Sequence, residues 1–124
     1  MKFVETTGYS GIASAYDIRE LITYFLDSPH DERIILLDDF GFIAGSATKF
    51  PFGEGLVAYE TAWWIDPDSR GENKGRKLME AFEYWAKNVA KCKFISMTSL
   101  DKDVEKIYKN KGYKLYERAY MKVL

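Results

Sequence analysis

The run from Leu56 to Ile65 constrains this chain more than any other stretch. It reads Leu-Val-Ala-Tyr-Glu-Thr-Ala-Trp-Trp-Ile, so both alternating faces carry bulk. A strand of that kind belongs inside a sheet, with packing above and below it. A turn-rich connection follows over residues 66–75, and then Leu78, Ala81, Phe82, Trp85 and Val89 recur at helical spacing. Strand, turn and amphipathic helix in that order begin a βαβ-like unit.

The flanks complete the outline. Residues 2–6 carry a weak strand signal. Ile18, Leu21, Ile22, Phe25 and Leu26 make one helical stripe, and Ser28-Pro29 ends it, because the residue before proline is pushed out of the helical region. Residues 34–37 read as a buried strand, Asp38-Asp39-Phe40-Gly41 as a turn, and residues 42–48 as the returning strand of a hairpin. Gly45 within that strand marks a bulge or a close backbone approach. Pro51, Gly53 and Gly55 form a loop. Beyond the second helix, residues 92–97 read as a strand and residues 101–111 as a helix with Val104, Ile107 and Tyr108 on one side. Gly112 falls where a helix C′ residue belongs. Residues 113–124 read as a strand or tight hairpin. The sum is an α+β fold in which helices pack on a central, mostly antiparallel mixed sheet, and 124 residues predict a single domain spanning 1–124.

Composition excludes several classes of function. With 18 basic and 19 acidic residues the formal net charge is -1, which gives no footprint for nucleic acid or an anionic membrane. A lone cysteine, Cys92, can form neither an internal disulfide nor a multi-thiolate metal site, which points to a reducing compartment. The start, Met-Lys-Phe-Val-Glu-Thr-Thr, breaks into polar residues at once, unlike a leader. No apolar run approaches the roughly 20 residues that cross a bilayer. A cytoplasmic protein is expected.

The chemistry concentrates at residues 65–78. The first amides of a helix have no intrahelical partner, and the helix dipole adds partial positive charge there. Gly71, Asn73 and Gly75 let the backbone approach an anion closely, and Arg70, Lys74, Arg76 and Lys77 add cationic side chains. A phosphate suits such a loop, although an ordinary strand-to-helix loop with a solvated basic start would look the same. The pattern is neither G-x-x-x-x-G-K-[ST] nor G-x-G-x-x-G.

The spacing Ile65-x-Pro67-x-x-Arg70-Gly71-x-Asn73-x-Gly75-x-x-Leu78 resembles the coenzyme A-binding motif of the GNAT family of N-acetyltransferases. Arg70 and Gly75 match it. Asn73 stands where glycine is usual, and asparagine tolerates left-handed geometry. Tyr108-Lys109-Asn110-Lys111-Gly112-Tyr113 resembles the family's C-terminal signature, one strand and one helix further on. The resemblance implies a GNAT-like fold and acetyl transfer from acetyl-CoA to a primary amine by direct attack, without metal. The acceptor would be a small-molecule or peptide amine, and a homodimer is common in the family. Asn73, with Asp101 where the family often has asparagine, keeps open a catalytically inactive module that binds coenzyme A or a protein partner.

The resemblance also distributes roles. Trp64 and Ile65, with Arg70, Gly71, Asn73, Lys74, Gly75 and Arg76, would hold the cosubstrate, the backbone near Trp64 and Ile65 polarising the thioester carbonyl. Tyr108 would be the general acid toward the departing thiolate, or else an aromatic packed on the inner face of its helix. Glu60, a carboxylate in an apolar strand, would be the general base if its surroundings are dry, or else a solvent-facing edge residue. Asp101 reads as an N-cap. Trp63 and Trp64 read as core and pocket wall.

Overall fold

The computed structural model describes residues 15–69, 74–99 and 102–124. The weak strand signal at residues 2–6 lies outside them. Helix α1 (Ala15–Leu26) leads into β1 (Arg33–Asp38), β2 (Gly41–Lys49) and β3 (Leu56–Ile65). A 3-10 turn at Pro67–Ser69 precedes α2 (Lys74–Tyr84), which runs on into a π-helical turn (Trp85–Val89). Strand β4 (Phe94–Ser96) and α3 (Lys102–Asn110) follow.

The sheet order is β1-β2-β3-β4. The first three strands form an antiparallel meander, and β4 joins β3 in parallel across the α2 connection. The aromatic-rich β3 is therefore interior to the sheet. Asp38 closes the first hairpin, its carboxylate accepting the amides of Phe40 and Gly41 at 2.7 and 2.9 Å. Helices cover both faces. Ile35, Ala44 and Ala62 face Leu21, Ile22 and Phe25 of α1, around an apolar cavity of about 20 Å³. Ile43, Ala58 and Ile65 pack on the other face against Leu78, Phe82, Trp85, Ala86 and Ala90.

Gly45 is both a close approach and the neighbour of a bulge. A Cβ there would stand 2.4 Å from the Phe82 ring and 2.5 Å from the Tyr59 carbonyl oxygen. Beside it the register steps from Ala44↔Ala62 to Gly45↔Glu60, leaving Thr61 as the extra residue of β3. Gly45 and Ile43 share a face of β2, so their partners Glu60 and Trp63 share a face of β3, although strict alternation would set them on opposite sides.

Three expectations are corrected. Ala81 and Val89 are exposed; the helix instead buries Met79, Ala86 and Ala90 beside Leu78, Phe82 and Trp85. The cause at the far end is the π turn: the Ala90 amide bonds the Trp85 carbonyl at 2.9 Å, and the wider turn brings Ala90 rather than Val89 under the core. Strand β4 keeps only Phe94–Ser96 of residues 92–97. Residues 113–124 form no strand, because nothing in the described chain pairs with them.

Candidate active site

Strands β3 and β4 pair at Val57↔Phe94, Ala58↔Ile95 and Tyr59↔Ser96, and there the pairing stops. Strand β3 continues from Glu60 to Ile65 without a β4 partner. The candidate site lies where these two parallel strands part.

Three groups meet at that point. Thr98 donates its hydroxyl to Glu60 Oε2 at 2.7 Å, and Tyr108 donates its own to the Thr98 carbonyl. Thr98 thus bridges the carboxyl and the phenol. Glu60 is only 6% exposed, and Tyr108 is 8% exposed. Burial pushes the Glu60 carboxyl from 4.5 up to about 7, although the Thr98 hydroxyl pulls it back in part. The bulge at Thr61 is what aims Glu60 at this face rather than at α1.

Trp63 forms the wall between this cluster and α2. Its indole lies 6.0 Å from the Tyr108 ring, centroid to centroid. On the other side it abuts the start of α2, where a Cβ on Gly75 would stand 3.2 Å from Trp63 Cζ2. Gly75 thereby lets the first turn of α2 settle on the end of β3. The Trp63 indole nitrogen is buried and has no hydrogen-bond partner. A buried N–H in that state is uncommon and calls for an acceptor.

Helix α3 presents Tyr108 because its C-terminus is fastened to α2. Gly112 has φ 88°, and the amides of Gly112 and Tyr113 bond the carbonyls of Lys109 and Tyr108 at 3.2 and 2.9 Å, a Schellman cap. The Tyr113 hydroxyl then donates to Glu83 at 2.9 Å. Lys111 pairs with Glu83 at 2.9 Å and with Glu80 at 3.4 Å. The Glu83 hydrogen bond raises the Lys111 ammonium above its ordinary value. Burial, with Glu83 beside it, raises the Tyr113 phenol well above the usual range, so it stays a donor.

The structure therefore brings Glu60 and Tyr108 together. Trp64 and buried Ile65 end β3, with Trp64 against Phe42 at 6.3 Å. Lys74, Gly75 and Arg76 occupy the first turn of α2, the Lys74 ammonium 3.5 Å from the centre of the Phe40 ring. Arg70, Gly71, Asn73 and Asp101 lie outside the described residues. Thr98 escaped the sequence reading, since a lone threonine after a strand carries no signal. Trp63 is a wall, as read, but its orphaned N–H was invisible. Cys92 is half-buried, and burial raises its thiol above the ordinary value, which disfavours the thiolate.

Comparison with known proteins places the chain and its fold. The family model described as Acetyltransferase (GNAT) family matches residues 5–116. The chain belongs to the GNAT acetyltransferase family. A protein assigned as an acetyl transferase from Pyrococcus furiosus superposes with a TM-score of 0.66 at 23% identity, over 94% of this chain and 80% of that one. The aminoglycoside N-acetyltransferase AAC(6')-Iy, in complex with a coenzyme A bisubstrate analogue, gives 0.66 at 18% identity, over 92% of this chain and 82% of that one. Glucosamine-6-phosphate N-acetyltransferase from Arabidopsis thaliana gives 0.69 at 14% identity, over 91% and 80%. No curated protein matches the chain in sequence. At these identities the GNAT neighbours share the fold. Among the described residues no helix is long and apolar enough to cross a membrane.

Proposed function

We propose that the chain is one acetyltransferase domain that moves an acetyl group from acetyl-CoA to a primary amine by direct attack, in the cytoplasm. The observation that carries this reading is the Glu60–Thr98–Tyr108 cluster at the parting of β3 and β4. The buried, unpartnered Trp63 N–H between that cluster and the start of α2 fits a bound acceptor group there. Gly75 lets the start of α2 settle against Trp63 and Ile65 at the end of β3, and the first turn of a helix in that position suits a phosphate. Lys74 and Arg76 would hold the phosphates from that turn, together with Arg70, Gly71 and Asn73.

Acetyl-CoA supplies an activated acyl group and a sulfur leaving group that needs a proton. Glu60, titrating near pH 7, is half ionised at neutral pH and accepts the proton that the ammonium acceptor must lose. The backbone near Trp64 and Ile65 polarises the thioester carbonyl. Tyr108 protonates the departing sulfur. Its phenol has one proton, held by the Thr98 carbonyl, so donating it means giving up that bond. The acceptor is a small amine or a peptide amine. AAC(6')-Iy and the Arabidopsis enzyme bear names of small-molecule acetyltransferases, which favours the former.

Titration of the protein with acetyl-CoA by calorimetry tests the reading. Binding is expected, and its absence up to about 1 mM, the upper end of ordinary KM values, would overturn it. Binding without acetylation across a broad amine panel would leave a coenzyme A-binding module in its place.

A further inference from the structure

The two oxygens of the Glu60 carboxyl meet different surroundings. Oε2 accepts the Thr98 hydroxyl at 2.7 Å. Oε1 has no hydrogen-bond partner among the described residues. The fully enclosed side-chain polar atom without a partner there is Trp63 Nε1 and not Glu60 Oε1, so Oε1 is open to a ligand. Thr98 is itself held in place. Strand β4 ends at Ser96, and beyond it the Thr98 carbonyl accepts the Tyr108 hydroxyl from α3. That bond fixes the backbone from which the Thr98 hydroxyl reaches Glu60.

Resting on the acetyl-transfer reading above, we propose that Thr98 is a positioning residue: its hydroxyl occupies Oε2 of Glu60 and leaves Oε1 as the atom that takes the proton from the acceptor ammonium. In that step an N–H bond of the ammonium breaks, its electron pair stays on nitrogen for the attack, and the proton bonds Oε1. The carboxylate becomes a neutral carboxyl. Oε2 is then its carbonyl oxygen and still accepts the Thr98 hydroxyl, so neither side chain has to turn during the transfer. The hydroxyl bonds the carboxylate more strongly than the neutral acid, and so it opposes the burial that favours the proton. Other neighbours do not supply this control. Gly45 stands opposite Glu60 on β2 with the Phe82 ring of α2 packed against it, and Tyr108 of α3 connects to Glu60 through Thr98. Tyr108 is the one titratable group among these three, and its bond goes to the Thr98 backbone.

Thr98→Val tests the proposal, because it removes the hydroxyl and keeps the carbonyl that Tyr108 bonds. Thr98→Ser keeps both. Carbon-13 NMR of the Glu60 carboxyl in the ligand-free protein reads its titration directly. The midpoint, about 7 in the parent, should rise by roughly 0.5–1 pH unit in the valine variant and return in the serine variant. With acetyl-CoA and an amine, the valine variant should lose on the order of tenfold to 10²-fold in kcat at neutral pH, with KM for acetyl-CoA unchanged. Its kcat/KM profile should rise at higher pH by the same interval as the midpoint, and serine should restore both. A packing role would not move the profile. Thr98→Ala also lacks the hydroxyl and should give the same displacement, and circular dichroism identifies any variant that has lost the fold. A parent that turns over, beside a folded valine or alanine variant with midpoint and profile unmoved, would overturn the proposal and leave the acetyl-transfer reading standing. A parent that binds no acetyl-CoA would sink both.

Discussion

Glu60→Gln isolates the cost of holding a carboxyl in this site. Burial raises the group from 4.5 to about 7, so between those values the folded state holds a proton that the unfolded chain has released. Stability is then fully present below about pH 4.5, falls as pH rises, and levels off above about pH 7. At about 1.4 kcal/mol per pH unit the fall amounts to roughly 3 kcal/mol. The group is 6% exposed, so solvent screening takes little from that figure. Glutamine is close in shape, keeps an oxygen for the Thr98 hydroxyl and does not titrate. The variant should therefore gain on the parent by up to about 3 kcal/mol between pH 4.5 and 8, on the order of 10 °C in Tm. Urea unfolding of both proteins across that range measures the difference directly. Parallel stability profiles would refute the reasoning, because they would mean that Glu60 is as well solvated when folded as when unfolded. On the proposed mechanism the parent's kcat/KM rises through pH 7, and the variant loses both that limb and most of its rate.

Tyr108→Phe should lower kcat by roughly 10²-fold or more and stability by about 1 kcal/mol for the lost Thr98 bond, with acetyl-CoA affinity unchanged; equal turnover would remove Tyr108 from the chemistry. Trp63→Phe should weaken acetyl-CoA binding by about tenfold while leaving the ligand-free protein no less stable than its lost packing dictates, since the removed N–H has no partner; unchanged affinity by calorimetry would count against a ligand acceptor there. Gly45→Ala should cost about 2–3 kcal/mol or more in urea unfolding, because the new methyl meets both the Phe82 ring and the Tyr59 backbone; a loss under 0.5 kcal/mol would show that β2 and α2 separate easily.

Much of the fold was legible because local pattern and tertiary role agree. The meander follows from alternating apolar runs closed by an Asp-Asp-Phe-Gly turn, and the parallel β3–α2–β4 connection follows from strand, loop and helical stripe in succession. The rest was hidden in single-residue events. A π turn at Trp85–Val89 moves the buried face by one residue, and no periodicity in the sequence announces it. The tail reads as a strand, but a strand needs a neighbour, and no described residue pairs with it. Residues 65–78 carried a motif, whereas Thr98 joins the site only because Glu60 lies 2.7 Å from its hydroxyl.

Glu60 marks where that hidden layer meets the chemistry. It stands five residues before Ile65, and strict alternation would turn it toward α1, away from Tyr108. Thr61 is the extra residue that reverses this, beside Gly45, where any side chain would strike Phe82 of α2. The bulge thus delivers a carboxyl to the Thr98 hydroxyl, and Thr98 links it to Tyr108. The same burial that makes Glu60 titrate near neutrality lowers the stability of the fold at neutral pH. The cluster is therefore a place where the chain gives up folding free energy: the Thr98 hydroxyl on Glu60 offsets part of that loss, whereas the separate bond from Tyr108 to the Thr98 carbonyl is the one that Tyr108 would release on the proposed mechanism.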